Sequence, residues 1–212
     1  MQLPKNMDHI ELKLADLPLQ FTPSDNPFIS REEIVFLIQT ALLKKGNMLE
    51  IGVNKGKTTN NLARVAKSLG CRFIGVDVTE VPSTICDAQG PGECLPSNQI
   101  GCDISEENRA FVEIKLINPN DPNSLSNLLA SLGLKFDFIF IDGDHSYPGV
   151  KKDYESVLPY VSENGVMVFH DAWWDVHPYP VKGPMMLLEE LGGLIVNKTH
   201  LGILKSDVHK IT

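Results

Sequence analysis

Short apolar runs alternate with segments of helical spacing through the middle of this chain, and this alternation constrains the fold more than any other feature. The apolar runs are Met48–Val53, Cys71–Val78, Val112–Ile117, Phe136–Ile141 and Val166–His170. The segments of helical spacing are Thr59–Leu69, Ser124–Leu132 and Ser146–Val161. Continuous apolar runs are typical of strands buried on both faces, and strands that alternate with helices form parallel sheets. The sequence therefore predicts an α/β fold: a doubly wound, mostly parallel, Rossmann-like sheet with helices on both faces.

Further elements are predicted on either side of this pattern. Ser30-Arg31-Glu32-Glu33 is a capping box, which begins a helix, and Gly46 ends that helix. Gly183–Leu191 has helical spacing, and two apolar runs follow at Leu194–Asn197 and Leu201–Lys205. These two runs predict a closing pair of strands, which brings the sheet to about seven strands with the last one antiparallel.

The pattern predicts one domain with two appended features. Residues 1–29 are rich in proline and polar residues and are expected to form an N-terminal arm or lid on a domain at 30–212. An irregular stretch at about 79–109 interrupts the domain after the second predicted strand. Its place at the carboxyl edge of the sheet, where ligands bind, fits a functional loop, and a plain surface insertion fits equally well.

Charge and composition indicate which cellular environment and which classes of partner to expect. The net charge of −8 disfavours nucleic acid as a partner, because an acidic surface repels phosphate backbones. No segment resembles a signal peptide, and no apolar run approaches the roughly 20 residues that a membrane-spanning helix requires, so we expect a cytoplasmic protein. The cysteines are then expected to be free thiols, since they lack the Cys-x-x-Cys spacing of zinc sites. They are Cys71, Cys86, Cys94 and Cys102.

The most informative motif is Glu50-Ile51-Gly52-Val53-Asn54-Lys55-Gly56-Lys57-Thr58-Thr59, which we call the glycine loop. Gly52 allows a tight turn after the first strand, and Gly56 allows a ligand to approach the backbone closely. Thr58 and Thr59 lie near the start of the next helix, where hydroxyls and free amides can hold a polar group.

Two other nucleotide-binding loops do not fit this motif. Gly56-Lys57-Thr58 resembles the end of a phosphate-binding Walker A loop, but that loop requires glycine where this chain has Ile51. The dinucleotide pattern Gly-x-Gly-x-x-Gly is broken at Val53-Asn54.

Two acids complete a binding site for a nucleoside joined to an amino acid. Glu50 precedes the turn, where its carboxylate can reach an ammonium group directly or through water. Asp77 ends the second predicted strand, about 20 residues after the glycine turn, where an acid can accept both hydroxyls of a ribose.

Acids and imidazoles follow the fourth and fifth predicted strands, as Asp142-Gly143-Asp144-His145 and His170-Asp171. Parallel strands end at one edge of the sheet, so these side chains are expected to gather beside the glycine loop. Carboxylate oxygens with one or two imidazoles suit a divalent cation such as magnesium or manganese. A cation there would lower the pKa of a substrate hydroxyl, and a nearby histidine would take its proton.

The glycine loop, Asp77 and Ile141-Asp142-Gly143-Asp144-His145-Ser146-Tyr147 together resemble class I S-adenosylmethionine-dependent methyltransferases, and the likeness extends from about Ser30 to Lys205. The resemblance implies that the glycine loop cradles the methionine portion, that Asp77 binds the ribose and that the loop after the third strand contacts the adenine. The implied cofactor-binding residues are Glu50, Gly52, Asn54, Gly56, Thr58, Thr59, Asp77, Asp121, Ser124 and Asp142.

Within that family the chain most resembles the metal-dependent sugar and macrolide O-methyltransferases and the cephalosporin-hydroxylase-like proteins. Carried over by position, Asp142 and Asp171 are implied metal ligands, His170 a third ligand, and His145 the catalytic base acting with Asp142. His170 stands where an acid is expected. As a ligand it would shift the preference towards softer ions such as manganese, iron or zinc. Alternatively, it lies behind the ligands and the metal is weakly held or absent.

The resemblance implies transfer of a methyl group from S-adenosylmethionine to an oxygen of a small polyhydroxylated acceptor, such as a sugar or natural product, assisted by a divalent metal. The alternatives are a metal-dependent hydrolase or isomerase on the same scaffold and a non-catalytic S-adenosylmethionine-binding protein. Asp144 fits a helix cap as well as a site. Trp173-Trp174 and Tyr179 fit either an acceptor pocket or packing against the lid. Nucleic-acid and membrane partners are not expected, and a homo-oligomer is left open.

Overall fold

The computed structural model describes residues 9–10, 29–79, 96–173 and 182–204. The strands are β1 (His9–Ile10), β2 (Met48–Ile51), β3 (Phe73–Val78), β4 (Glu113–Ile117), β5 (Phe136–Ile141), β6 (Val161–Phe169), β7 (Gly193–Val196) and β8 (Gly202–Leu204). The helices are α1 (Arg31–Lys44), α2 (Lys57–Leu69), α3 (Glu106–Arg109), α4 (Ser124–Leu132), α5 (Tyr147–Val157) and α6 (Gly183–Leu191). Short 3-10 turns lie at Ser97–Gln99 and Leu158–Tyr160.

The described strands form one sheet in the order β1-β7-β8-β6-β5-β2-β3-β4. Strand β8 is antiparallel to β6 and β7, and the other described pairings are parallel. This confirms the predicted doubly wound, mostly parallel sheet with an antiparallel last strand. The chain leaves β2 for β3 on one side and returns to β5 on the other, which creates a crevice at the carboxyl ends of β2 and β5.

Apolar side chains fill both faces of the sheet. Helices α1 and α2 pack on one face, over residues such as Met48, Phe138 and Phe140. Helices α4, α5 and α6 cover the other face, over Leu49 and Ile139. Burial on both faces explains why the central strands are continuous apolar runs instead of alternating ones.

Two element boundaries differ from the predicted ones. The predicted helix Ser146–Val161 ends at Val157, because Pro159 has no amide hydrogen to continue it and a 3-10 turn follows. Strand β6 then begins at Val161 instead of Val166, although its register against β5 is irregular near Phe136.

The predicted N-terminal arm adds a short edge strand, since β1 pairs with β7 through the backbone of His9 and Ile10. The predicted capping box is present at Ser30, whose hydroxyl accepts the Glu33 amide. Cys71 and Cys102 are free thiols, and Cys86 and Cys94 lie outside the described residues. No helix in the described ranges is long and apolar enough to cross a membrane.

Candidate active site

The glycine loop follows β2 with a backbone that requires glycine at two positions. Gly52 has φ +91° and Gly56 has φ +89°, in the left-handed region that side chains rarely adopt. A Cβ on Gly52 would lie 2.0 Å from the carbonyl oxygen of Asp142, and one on Gly56 would lie 2.5 Å from Cγ1 of Ile104. The two glycines therefore let the loop pack against the site on β5 and against the end of the insertion.

The end of the insertion, residues 96–109, is docked on the glycine loop. The amides of Gly101 and Asp103 donate to the carbonyl oxygens of Asn54 and Lys55, each at 2.7 Å. One turn further along α2, the buried Asn108 side chain donates to Oδ1 of Asn60 at 2.9 Å. This part of the insertion is thus a support for the loop. The sequence left a functional loop and a surface insertion equally open, and it did not predict this contact.

Glu50 carries a buried carboxylate behind the loop. It is 1% exposed, and its Oε2 makes no hydrogen bond to any described residue. Burial raises its pKa well above the usual range; the Thr59 hydroxyl opposes this shift, while the charges of Asp142 and Asp77 add to it. A buried carboxylate oxygen without a donor, here Oε2, fits an ammonium group, which would supply both a hydrogen bond and charge.

Asp77 lies beside the loop at the end of β3. Its Oδ2 accepts the amides of Val53 (2.9 Å) and Asn54 (2.7 Å), and its Oδ1 accepts the amide of Val78 (2.7 Å). Burial raises the pKa of Asp77, and the three amide hydrogen bonds, which lower the pKa, only partly offset this effect. Since a carboxylate has about four acceptor positions, Asp77 holds the loop in place and keeps acceptor capacity for a ligand hydroxyl.

The other predicted cofactor residues lie along the same edge. Thr58 and Thr59 occupy the first turn of α2, and Thr59 is fully buried near Glu50. Asp121 and Ser124 follow β4, which pairs with β3 in parallel. Their described hydrogen bonds are local: Oδ1 of Asp121 accepts the Asn123 amide, and the Ser124 hydroxyl faces two carbonyl oxygens of its own turn.

Four predicted residues converge beside the loop to form what we call the acid–imidazole cluster: Asp142, His145, His170 and Asp171, with one ligand atom from each within 4.8 Å of all the others. Nε2 of His145 lies 2.8 Å from Oδ2 of Asp171 and 3.3 Å from Oδ1 of Asp142. Nδ1 of His170 lies 3.0 Å from Oδ1 of Asp142 and 3.3 Å from Oδ1 of Asp171. Asp144 is outside the cluster and accepts the Ser146 amide, as a turn residue does.

Backbone hydrogen bonds fix the position of the cluster. The amide of Asp142 donates to Ile51 at 2.8 Å, and the amide of His170 donates to Ile141 at 3.0 Å. Asp171 has φ +49°, a strained conformation for a residue with a side chain. Its neighbour Ala172 is held by a hydrogen bond to His200. The carboxyl ends of β2, β5 and β6 are thereby tied to one another.

The mutual pairing shifts every pKa in the cluster. Burial disfavours both charged imidazoles, but hydrogen bonds and charges from Asp142 and Asp171 outweigh it, raising the pKa of His145 to about 10 and that of His170 well above its usual range. Burial likewise opposes ionisation of Asp142 and Asp171, yet the histidines hold the pKa of both carboxyls below the usual range. The cluster is therefore strongly coupled, with two anionic and two basic groups.

The residues present fit a divalent cation. Ligand atoms at about 2.1 Å from one ion and at right angles to each other are about 3 Å apart, since that is the geometry of octahedral coordination. The nitrogen–oxygen distances in the cluster run from 2.8 to 3.3 Å. Two oxygens and two nitrogens are suitable donors for such an ion.

Sequence reasoning missed a buried acid, Glu33, behind the cluster. Its Oε1 accepts the His200 amide at 2.5 Å and lies 3.3 Å from Nδ1 of His200, and its Oε2 accepts the Ser30 amide at 2.5 Å. The capping box predicted the local contact with Ser30 only, because the His200 contact joins residues 167 positions apart.

The aromatic residues proposed near the site are described only in part. Trp173 is half-buried, and its indole nitrogen makes no hydrogen bond within the described part of the chain. Trp174 and Tyr179 lie outside the described residues.

Comparison with known proteins places this arrangement in a family. Residues 49–172, more than half of the 212-residue chain, match the family model of a methyltransferase domain. The matched segment begins in β2 and ends just after the acid–imidazole cluster, so it contains both parts of the candidate site. No curated protein sequence is significantly similar to the chain.

Several solved structures share the fold. The O-methyltransferase TomG from Streptomyces achromogenes, in complex with S-adenosylmethionine, is 18% identical with a TM-score of 0.56 over 83% of this chain and 81% of TomG. A putative caffeoyl-CoA O-methyltransferase from Staphylococcus aureus is 16% identical with a TM-score of 0.59, covering 84% of each chain. An O-methyltransferase from Bacillus cereus in complex with S-adenosylhomocysteine is 20% identical with a TM-score of 0.51, over 84% of this chain and 82% of the other. The family match and the shared fold agree with the resemblance found in the sequence: the chain belongs to the methyltransferase-domain family.

Proposed function

We propose that this protein transfers a methyl group from S-adenosylmethionine to a hydroxyl oxygen of a small polyhydroxylated acceptor, with a divalent metal ion held by the acid–imidazole cluster. The observation that carries the proposal is the double role of Asp142. Its backbone packs against Gly52 and bonds to Ile51 in the wall of the glycine loop, and its side chain belongs to the cluster. A cofactor on the loop and an acceptor at the cluster would therefore be neighbours.

The glycine loop supplies groups that suit the amino-acid and nucleoside parts of the cofactor. The buried Oε2 of Glu50 suits the ammonium group, and the remaining acceptor position of Asp77, beside its three amide hydrogen bonds, suits a ribose hydroxyl. Asp121 and Ser124, on the loop after β4, are proposed to border the adenine. Bound there, S-adenosylmethionine would supply an electrophilic methyl group, and the chain would contribute chiefly by positioning it.

The cluster supplies the groups that act on the acceptor. Asp142, Asp171 and His170 would hold the metal, and a bound cation would lower the pKa of an acceptor hydroxyl. His145 is proposed as the base, because its side chain is 19% exposed and because a cation bound by Asp142 and Asp171 would occupy the carboxylates that raise its pKa to about 10. His170, with a side chain only 4% exposed, is too enclosed for that role.

Calorimetric titration with S-adenosylmethionine and S-adenosylhomocysteine, with and without magnesium or manganese, tests the proposal. We expect both ligands to bind and a panel of sugars and catechols to be methylated in the presence of metal. Absence of binding by either ligand at high micromolar concentration would rule out the methyltransferase function. Full metal-independent activity of the Asp171→Ala variant would exclude only the metal from the proposal. Asp144→Asn is the control for loss of one charge near the cluster but outside it.

A further inference from the structure

His170 brings an imidazole nitrogen into the acid–imidazole cluster from the buried side of the sheet. The residue is 3% exposed, its amide is bonded to Ile141, and its ring packs edge-on against Phe140 with centroids 6.1 Å apart. These contacts turn Nδ1 towards both carboxylates, at 3.0 Å from Asp142 and 3.3 Å from Asp171. A cation that contacts both carboxylates would therefore also meet this nitrogen.

A second imidazole nitrogen faces the same carboxylates from the more exposed side. Nε2 of His145 lies 2.8 Å from Asp171 and 3.3 Å from Asp142. Since His145 is the proposed base, the donor set is two carboxylate oxygens and Nδ1 of His170, in contrast to the all-oxygen surroundings that magnesium favours. Imidazole suits iron, nickel, copper and zinc better than magnesium, and the affinity of such a site for first-row ions rises from manganese through cobalt to copper and falls again at zinc.

Hydration points the same way, whereas the two carboxylates would balance the charge of any divalent cation. The cluster is largely enclosed, with side chains that are 4% to 25% exposed. Magnesium sheds water reluctantly and usually keeps several water ligands, which such a site does not favour.

We propose that the acid–imidazole cluster binds a first-row transition-metal ion in preference to magnesium, and that His170 is the residue that sets this selectivity. The inference rests on the proposed metal site and deepens it by assigning the class of ion. His170 is then a ligand through Nδ1. An acid at that position would supply an oxygen ligand instead of a nitrogen.

The test measures metal binding directly on the full chain. Protein stripped with a chelator is dialysed against an equimolar mixture of magnesium, manganese, cobalt and zinc, and the bound metals are counted by mass spectrometry. We expect close to one transition-metal ion per chain and no retained magnesium. The visible absorption of the cobalt form should carry the signature of nitrogen ligation.

Two variants separate His170 from the general preference of proteins for transition metals. In His170→Asp, an oxygen replaces the nitrogen, and we expect the ratio of cobalt to magnesium affinity to fall by at least about tenfold, with altered cobalt bands. In Asp144→Asn, which alters the loop after β5 outside the cluster, the affinity ratio and the cobalt bands should stay as in the unmodified protein. Circular dichroism checks that each variant is folded.

Three results would overturn the inference: retention of magnesium by the unmodified protein at the level of the other ions, no bound metal of any kind, or an unchanged affinity ratio in folded His170→Asp. If His170→Asp does not fold, the cobalt spectrum of the unmodified protein decides, because a spectrum without nitrogen ligation excludes His170. Binding of S-adenosylmethionine without metal would leave the methyltransferase proposal standing. Binding of a transition metal without binding of S-adenosylmethionine would leave the metal inference standing and would overturn the methyltransferase proposal.

Discussion

The glycine loop and the acid–imidazole cluster adjoin each other, yet they are constructed differently. In the loop, backbone conformation and backbone hydrogen bonds determine the shape, as the left-handed Gly52 and Gly56 and the amides bonded to Asp77 show. In the cluster, two charged groups on each of two strand ends hold one another through their side chains. A substitution that removes a charge should therefore damage the cluster and leave the loop intact. A substitution that adds a side chain close to the backbone should distort the loop and leave the cluster intact.

Asp142→Asn tests this difference with the largest expected effect. The amide keeps the side-chain shape and the backbone contact with Ile51, but removes the charge shared by His145 and His170. We expect kcat to fall by about 10³-fold, the scale of losing a group that acts on the reacting atoms. Affinity for S-adenosylhomocysteine should change little. Steady-state kinetics and calorimetry measure the two quantities.

The control for this variant is Asp144→Asn, which removes a charge two residues away and outside the cluster. Its kcat should stay close to that of the unmodified protein. Equal losses in both variants would mean that the net charge of the whole loop matters, and the distinction between the two regions would fail.

The same difference explains how much the sequence could predict. Glycine spacing is local, so the loop, its place after a buried strand and its neighbour Asp77 followed from the sequence. The convergence of Asp142 and His170 followed only once a parallel sheet was predicted, because it depends on which strands are neighbours. The contacts of Glu33 with His200 and of Asn108 with Asn60 could not be predicted, since each joins distant elements through side chains without a sequence pattern.

Glu33→Gln tests whether the buried charge of Glu33, which lies behind the cluster, stabilises the fold. Burial opposes ionisation of Glu33, but the hydrogen bond with the His200 side chain, the charge of His170 and the Ser30 and His200 amides lower its pKa from 4.5 to about 2. Because the pKa is lowered in the folded state, the stabilisation is complete above the unfolded pKa and is lost as the pH falls from about 4.5 to about 2. The shift corresponds to about 3 kcal/mol.

Urea denaturation of Glu33→Gln and of the unmodified protein between about pH 7 and pH 2 measures this effect. We expect the variant to be about 3 kcal/mol less stable at neutral pH, with the difference disappearing across that acidic interval. Glu32→Gln, on the same first turn of α1, is the matched control and should show no such convergence. Parallel pH profiles for Glu33→Gln and the unmodified protein would contradict the assignment.

Gly56→Ala tests the glycine loop, whose shape depends on its backbone conformation. The added Cβ would lie 2.5 Å from Ile104 and 3.0 Å from Gly101, and the alanine would also have to adopt φ +89°. Gly70→Ala is the matched control, since Gly70 also has a positive φ, +63°, but has nothing within 4 Å of its Cβ. We expect each to lose about 1 kcal/mol from backbone strain, and Gly56→Ala to lose about 2 kcal/mol more from crowding.

The functional readout separates the two alanine variants further. Gly56→Ala should weaken binding of S-adenosylhomocysteine by about tenfold, or about 1.4 kcal/mol, because displacement of Ile104 shifts the loop. Its metal content should be unchanged. Equal stability and equal ligand affinity in Gly56→Ala and Gly70→Ala would show that residues 96–109 do not constrain the loop.

Asn108→Ala tests the same support at its far end, with the smallest expected effect. The Asn108 amide donates to Oδ1 of Asn60 at 2.9 Å and to the carbonyl oxygen of Asn60 at 3.4 Å, and the variant removes both bonds. The bond from the Ser105 amide to Oδ1 of Asn60, at 3.0 Å, remains. The expected loss of stability is about 1 kcal/mol, the net value of the shorter bond, because the longer one is weak. Asn123→Ala, an exposed asparagine whose side chain makes no capping bond to α4, should lose less. If the support acts on the loop through α2, Asn108→Ala should also weaken S-adenosylhomocysteine binding by a factor of about three, or about 0.6 kcal/mol. A stability loss with unchanged affinity would instead limit the role of Asn108 to the packing of α3 on α2.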